Sequence, residues 1–180
     1  MSVRISKFLS LVLRHDPSRI GITLDEAGWV DVDVLLAAAA AHGVSLSRDG
    51  LRELVVSSDK QRFALSADGA RIRANQGHSV PVDLQLLPRE PPARLYHGTV
   101  EAALDGIRAQ GLVRGARHHV HLSPDLETAT RVGARRGAPV ILTVRAADMH
   151  AAGHTFYCSD NGVWLTAHVP ARFILFASRR

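Results

Sequence analysis

Apolar side chains recur at helical spacing through the first part of the chain. Between Ser2 and Leu13 they fall on one face, and the positions on that face are Ile5, Phe8, Leu9, Val12 and Leu13. Pro17 then ends the segment. Asp31 and Ser47 are placed to cap a second and a third helix, and Gly43 to end the second. The pattern therefore predicts three helices in the first third of the chain.

The next segment alternates apolar and polar residues. Residues 62–74 do so on both sides of Asp68-Gly69, which is typical of a β hairpin. Three short helices followed by a two-stranded wing form the plan of a winged-helix domain, which often meets nucleic acid. Because a fold alone does not establish binding, this plan is an analogy.

A proline-rich stretch without periodicity predicts a linker at 81–93, between a first domain at 1–80 and a second at 94–180. Gly111 and Pro124 fit a helix end and the first turn of a later helix. The remaining predicted elements are strands around 94–97, 120–123, 140–144, 154–158, 163–168 and 173–176, with helices near 101–110 and 126–135.

The amino-acid composition gives the chain a net positive charge. The net charge of +5 indicates an acidic partner, without distinguishing nucleic acid, nucleotide or acidic protein. Only Lys7 and Lys60 among the 22 basic residues are lysines, and arginine holds phosphate in a bidentate fork. A GC-rich genome produces the same excess, so positions must decide. The single Cys158 excludes an intrachain disulfide, and the absence of a long apolar segment predicts a soluble, cytoplasmic protein.

Arginines and histidines gather at four separated places, without matching carboxylates in the same stretches. These places are Arg14-His15, Arg62, His97-Gly98-Thr99 and residues 117–121. Such a set favours an anionic ligand, with phosphate as the leading candidate. In isolation each place has another explanation, since cations at the end of a helix complement its dipole and a strand arginine is often solvated.

Other site classes are less well supported. His119 and His121 share one face of a predicted strand, as a metal pair would require, but no nearby carboxylate or cysteine completes a zinc site. The sequence therefore predicts no metal. It also has no Gly-x-Ser-x-Gly elbow and no Gly-x-Gly-x-x-Gly or Walker loop, so a dinucleotide needs another mode of binding.

Six segments in order closely resemble the RNA 2′-phosphotransferase family, also called Tpt1/KptA, over nearly the whole chain. They are residues 6–15, 59–63, 74–79, 95–99, 119–123 and 161–165. The resemblance implies an α+β protein, with an N-terminal winged-helix lobe that binds RNA. It also implies a C-terminal lobe of the ADP-ribosyltransferase type with a split mixed β-sheet.

The family resemblance also implies a chemistry. NAD is the implied cofactor, and the implied partner is RNA with an internal 2′-phosphate, tRNA-like, with no membrane and no obligate protein partner. The RNA phosphate is ADP-ribosylated and then released as ADP-ribose 1″,2″-cyclic phosphate. The implied catalytic residues are Arg14, His15, Arg62 and Arg117, and the implied NAD-binding residues are His97, Gly98, Thr99, His121 and Ser123.

The residue types suit that reaction. A phosphate nucleophile is already charged, so it needs positioning and charge compensation, and His15 can exchange a proton near neutral pH. Val163 stands where many protein-modifying ADP-ribosyltransferases have a glutamate, which weakens the case for a protein acceptor. Two alternatives stay open: ADP-ribosylation of phosphorylated nucleic-acid ends or another acceptor, and a nucleic-acid binding module without catalysis.

Overall fold

The computed structural model describes residues 3–58 and 60–176 and divides into two compact units, Met1–Gln85 and Leu86–Arg180, called unit 1 and unit 2 below. The division falls inside the proline-rich stretch at 81–93. Two positions used above, Ser2 of the first helix and Asp59 of the second motif, lie outside the described residues.

Unit 1 contains the three predicted helices. They are α1 (Val3–Arg14), α2 (Val32–Ala41) and α3 (Arg48–Val56). The side chain of Asp31 accepts hydrogen bonds from the backbone at the start of α2, and Ser47 does so for α3, which confirms both predicted caps. The predicted apolar face of α1 is also confirmed, because Leu9, Val12 and Leu13 are buried.

The predicted hairpin is confirmed as part of a small antiparallel sheet in unit 1. Its strands, in the order β1-β3-β2, are β1 (Val30–Asp31), β2 (Phe63–Leu65) and β3 (Arg71–Ala74). Gly69 occupies the turn with a φ of +69°, a conformation that glycine adopts without strain. The sequence pattern does not indicate β1, because two residues are too few to show alternation.

Unit 2 is built from short strands and three helices in its described part. In chain order the elements are β4 (Leu95–Val100), α4 (Leu104–Gln110), β5 (Leu112–Val113), β6 (Val120–Leu122), α5 (Leu126–Gly133), β7 (Pro139–Val144), α6 (Ala146–Ala151), β8 (Phe156–Cys158), β9 (Trp164–Thr166), β10 (His168–Val169) and β11 (Ile174–Leu175). The sheet orders are β11-β7-β4, β6-β9-β8 and β10-β5. The chain is thus α+β, as predicted.

Hydrogen bonds between Tyr96 and Ser123 connect the first two of these sheets. The backbone nitrogen of Tyr96 lies 2.9 Å from the oxygen of Ser123, and the reverse bond measures 2.8 Å. This bridge brings the middle of β4 next to the end of β6. Two segments with candidate histidines are thereby neighbours.

Three details of unit 2 differ from the predictions. Every strand pairing in the described residues is antiparallel, so the mixed sheet implied by the resemblance is wrong. The alternation of apolar and polar residues could not have shown this, because it does not encode the direction of a strand. Asp125 caps α5 through a 2.7 Å bond from the backbone of Thr128, so Pro124 precedes the helix rather than forming its first turn. The short elements α6 and β5 are not evident from the sequence pattern. Gly111 does end α4, with a φ of +74°.

Within residues 3–58 and 60–176, none of the helices is both long enough and apolar enough to span a bilayer.

Candidate functional site

The end of α1 is fixed by the segment that follows β3. The backbone oxygen of Arg14 accepts hydrogen bonds from the nitrogens of Ser79 at 2.9 Å and Val80 at 3.3 Å. The hydroxyl of Ser79 also hydrogen-bonds to Nδ1 of His15 at 2.9 Å. One serine therefore holds both the backbone before His15 and its ring.

Arg62 lies next to this arrangement, directly before β2. Its backbone oxygen accepts a hydrogen bond from Nη2 of Arg14 at 3.4 Å and another from the nitrogen of Asn75 at 2.9 Å. The guanidinium of Arg14 also lies 5.9 Å from the centre of the Phe63 ring. Three predicted catalytic residues, Arg14, His15 and Arg62, thus come together within unit 1, although Arg62 follows Arg14 by 48 residues.

A groove of about 700 Å³ lies beside these residues in unit 1. One face of α1, the end of α3 and the start of the wing form its walls. The described residues that line it are Val3, Ser6, Lys7, Ser10, Leu11, His15, Leu54, Ser57, Ser58, Lys60 and Arg62. They include four basic residues and four serines, and none of them is acidic.

His97 is a half-buried residue of β4 in unit 2. Its Nδ1 donates a hydrogen bond to the backbone oxygen of His121 at 3.1 Å. Burial lowers the pKa of His97, the bond to His121 raises it, and repulsion by Arg136 lowers it again, with a net decrease. The neutral ring is favoured, and since Nδ1 carries the proton, Nε2 is an acceptor.

Arg117 contacts the second histidine of this pair. Its Nη1 donates to Nδ1 of His121 at 3.1 Å, which leaves the proton of a neutral His121 ring on Nε2. Burial of the guanidinium lowers the pKa of Arg117, and the charges of Arg136 and Arg135 lower it further. Arg117, His121 and His97 therefore form a continuous chain of hydrogen-bonded groups.

Arg135 and Arg136 directly follow α5 and add two positive charges near this chain. The sequence pattern does not single them out, since cations at the end of a helix are common, and only their adjacency is a signal. Within residues 3–58 and 60–176, Arg117, Arg135 and Arg136 form no salt bridge. Such a group of cations without carboxylate partners is suited to an anion such as a diphosphate.

Gly98 is explained by helix packing. A Cβ atom at this position would lie 1.9 Å from the backbone oxygen of Ala129 and 2.7 Å from the nitrogen of Gly133, both in α5. The missing side chain thus allows α5 to rest directly on β4, a reason that the sequence does not reveal. Thr99 is only 3% exposed. Both residues help build the strand that presents His97, and their contact with a cofactor stays a prediction.

His119 and His121 have different partners, although they are two residues apart. The His119 ring packs edge-on against Tyr157, with 5.5 Å between ring centres, whereas His121 binds Arg117. Burial lowers the pKa of His119, and the neighbouring His118 and Arg114 add to the decrease. The two imidazoles are therefore engaged separately.

Comparison with known proteins gives a consistent result. The model of the RNA 2′-phosphotransferase, Tpt1 / KptA family matches residues 1–168. A protein of Streptomyces griseus named probable RNA 2′-phosphotransferase is 61% identical, with 97% of this chain and 96% of the relative covered. Proteins of the same name from Streptomyces coelicolor and Pseudomonas aeruginosa are 59% and 58% identical, over 97% and 94% of this chain and 95% and 93% of their own lengths.

Proposed function

This chain belongs to the RNA 2′-phosphotransferase, Tpt1 / KptA family, and we propose that it removes an internal 2′-phosphate from RNA in an NAD-dependent reaction. The observation that carries the proposal is the match over residues 1–168, which includes Arg14, His15, Arg62 and Arg117. The enzyme would have a winged-helix lobe for RNA and an ADP-ribosyltransferase-like lobe for NAD.

In the first proposed step, an oxygen of the RNA 2′-phosphate attacks C1″ of the nicotinamide ribose. The C1″–N bond breaks, nicotinamide leaves with the bonding electrons, and the RNA phosphate becomes ADP-ribosylated. The phosphate is anionic at neutral pH, so it needs orientation and charge compensation more than a general base. Arg14, whose side chain is hydrogen-bonded to the backbone oxygen of Arg62 in unit 1, and Arg62 would provide this compensation with their guanidiniums.

The groups in unit 2 fit the two chemical parts of NAD. Arg117, Arg135 and Arg136 provide cations for the diphosphate. The lowered pKa of His97 keeps its ring neutral, which suits hydrogen bonds to uncharged groups such as ribose hydroxyls. His121 and Ser123, on the neighbouring strand, complete the proposed NAD-binding set with Gly98 and Thr99.

In the second proposed step, the ribose O2″ attacks the phosphorus atom. The bond between phosphorus and the RNA O2′ breaks, which gives RNA with a 2′-hydroxyl and ADP-ribose 1″,2″-cyclic phosphate. One proton leaves O2″ and one reaches O2′, and His15 is the member of the catalytic set that can transfer a proton near neutral pH. Negative charge on the phosphate oxygens would be stabilised by the arginines.

The proposal is tested by incubating the protein with NAD and an oligoribonucleotide that carries one internal 2′-phosphate. We expect nicotinamide, ADP-ribose 1″,2″-cyclic phosphate and dephosphorylated RNA in equal amounts, which liquid chromatography with mass spectrometry will quantify. If neither small product forms, the proposal is wrong. An ADP-ribosylated RNA that persists with the wild-type protein would favour the alternative transferase, which stops after the first step.

A further inference from the structure

The chain has only two lysines, and both border the groove of unit 1. The other lysine-or-arginine positions are all arginine, including the three arginines of the proposed catalytic set. Lysine differs from arginine in offering a compact charge on a flexible stem, which suits contacts whose geometry varies from ligand to ligand. A shared location for the two lysines indicates a common task within the groove.

Lys7 lies on the same face of α1 as two serines of the groove. Ser6 and Ser10 are spaced four residues apart, and Lys7 is between them. Lys7 precedes His15 by eight residues, which is about 12 Å along a helix. Helical side chains also lean toward the N-terminus, so Lys7 points further away from His15. Lys7 therefore faces a part of the groove about two helical turns from His15, where a 2′-phosphate held at His15 would leave room for a second anionic group.

The other groove residues indicate what that group is. Four of the eleven lining residues are serines, whose hydroxyls commonly donate to phosphate oxygens in nucleic-acid complexes. None of the eleven is phenylalanine, tyrosine or tryptophan, so the His15 imidazole is the one ring that these described residues offer to a base. This composition is suited to a sugar-phosphate backbone more than to the stacking of several bases.

We propose that the groove binds the RNA backbone on one side of the 2′-phosphorylated nucleotide. Lys7 and Lys60 neutralise phosphodiesters that do not react, and Ser6 and Ser10 donate hydrogen bonds to the same groups. The proposal rests on the function proposed above. It adds that binding is insensitive to sequence and strengthens with the length of the RNA strand, because a longer strand reaches more of the groove.

The test compares Lys7→Gln/Lys60→Gln with a charge-matched control, Arg19→Gln/Arg52→Gln, which removes two exposed cations of unit 1 outside the groove. Binding of a fluorescent oligoribonucleotide without any 2′-phosphate is measured by fluorescence polarisation at several salt concentrations. We expect about tenfold weaker binding for the lysine variant only. Its slope of log K against log salt should become shallower by about 0.7 for each lost phosphate contact. Lys7→Arg/Lys60→Arg should retain the wild-type salt slope.

Turnover then separates this inference from the proposed reaction. The Lys7→Gln variant should raise KM for a long 2′-phosphorylated oligonucleotide severalfold and leave KM and kcat for a 2′-phosphorylated dinucleotide unchanged. Unchanged turnover of the dinucleotide also shows that the variant folds. If the wild type releases no nicotinamide with either substrate, the proposed reaction is wrong. The binding measurements still test whether the groove binds RNA. Equal RNA affinity of the double lysine variant and the control would overturn the proposal that the groove binds RNA. Binding of an acidic peptide to the wild type as tightly as RNA would also overturn it.

Discussion

The two units carry their positive charge in different ways. In unit 1 His15 and Arg62 line an open groove. The backbone oxygens of Arg14 and Arg62 both accept hydrogen bonds from the segment after β3. In unit 2 the histidines are partly dehydrated, and the pKa of His97 is lowered beside Arg136. Unit 1 presents cations to a ligand, whereas unit 2 presents a neutral ring beside cations.

This difference suits two ligands that differ in charge distribution. An RNA strand is anionic along its whole length, so a groove with several basic and hydroxyl side chains matches it. NAD combines a charged diphosphate with uncharged ribose hydroxyls and an amide, so it needs arginines and neutral hydrogen-bonding groups near each other. The comparison predicts that substitutions in the two units separate the handling of RNA phosphate from the binding of NAD.

The largest expected effect comes from removing one arginine in each unit. Arg62→Ala should lower kcat about 10²- to 10³-fold and leave the affinity for NAD unchanged, because in the proposed reaction unit 1 compensates the charge of the RNA phosphate. Arg117→Ala should lower kcat as much and also weaken NAD binding, because the proposed NAD site includes both Arg117 and His121, to which it is hydrogen-bonded. Steady-state kinetics and calorimetric titration with NAD measure both quantities.

The exposed Arg19 serves as a control for the arginine substitutions, since Arg19→Ala removes a cation of unit 1 outside the groove and should change neither quantity. Equal weakening of NAD binding by Arg62→Ala and Arg117→Ala would contradict the proposal that unit 1 handles the RNA phosphate and unit 2 binds NAD. Loss of cooperative unfolding in both variants would instead show that the arginines are structural.

A second substitution tests how unit 2 is built. Gly98→Ala should lower the free energy of unfolding by about 3 kcal/mol, because its Cβ would meet the backbone of α5 at 1.9 Å and the helix must move. Gly106→Ala is the matched control, since it lies in α4 with open space around it and should be neutral or slightly stabilising. Chemical denaturation measures both, and similar stability of the two variants would contradict the packing role of Gly98.

Local signals were sufficient for the three α-helices and the hairpin of unit 1. The caps at Asp31 and Ser47 and the turn at Gly69 each depend on residues within a few positions of one another, so the sequence displays them directly. The candidate site is different. Ser79 is 64 residues from His15, and nothing in the spacing of either reveals their hydrogen bond.

In unit 2 the sequence predicts strands but not their surroundings. A glycine is needed at position 98 because Ala129 and Gly133 of α5, more than thirty residues later in the chain, pack against its backbone. The direction of each strand depends on pairings that the alternation of apolar and polar residues does not encode. Arg136 lowers the pKa of both His97 and Arg117, and Arg135 lowers that of Arg117. These effects depend on distances that exist only in the folded chain. The resemblance supplied the site residues, and the structure supplied the contacts that support them.

A smaller effect is expected at the contact that orients His15 in unit 1. Ser79→Ala removes the hydroxyl bonded to Nδ1 of His15 and keeps the backbone bond to Arg14, so kcat should fall about tenfold with little change in KM for RNA. Ser79→Thr, which retains a hydroxyl at an exposed position, should restore most of the rate. A merely structural serine would change the free energy of unfolding without this split between kcat and KM.

The smallest effect concerns pH and belongs to unit 2. Because the pKa of folded His97 is lowered, the unfolded chain binds more protons there between that pKa and about 6.5, the unperturbed value for histidine. The contribution of His97 to stability is therefore complete above about pH 6.5 and is lost as the pH falls through the lowered pKa. His97→Asn, whose amide can donate to the oxygen of His121 without titrating, should weaken the pH dependence of the free energy of unfolding. Urea denaturation of both proteins between pH 5 and pH 8 measures this dependence. Identical slopes, or a wild-type stability that rises as the pH falls, would show that unit 2 does not hold a neutral His97 beside its arginines.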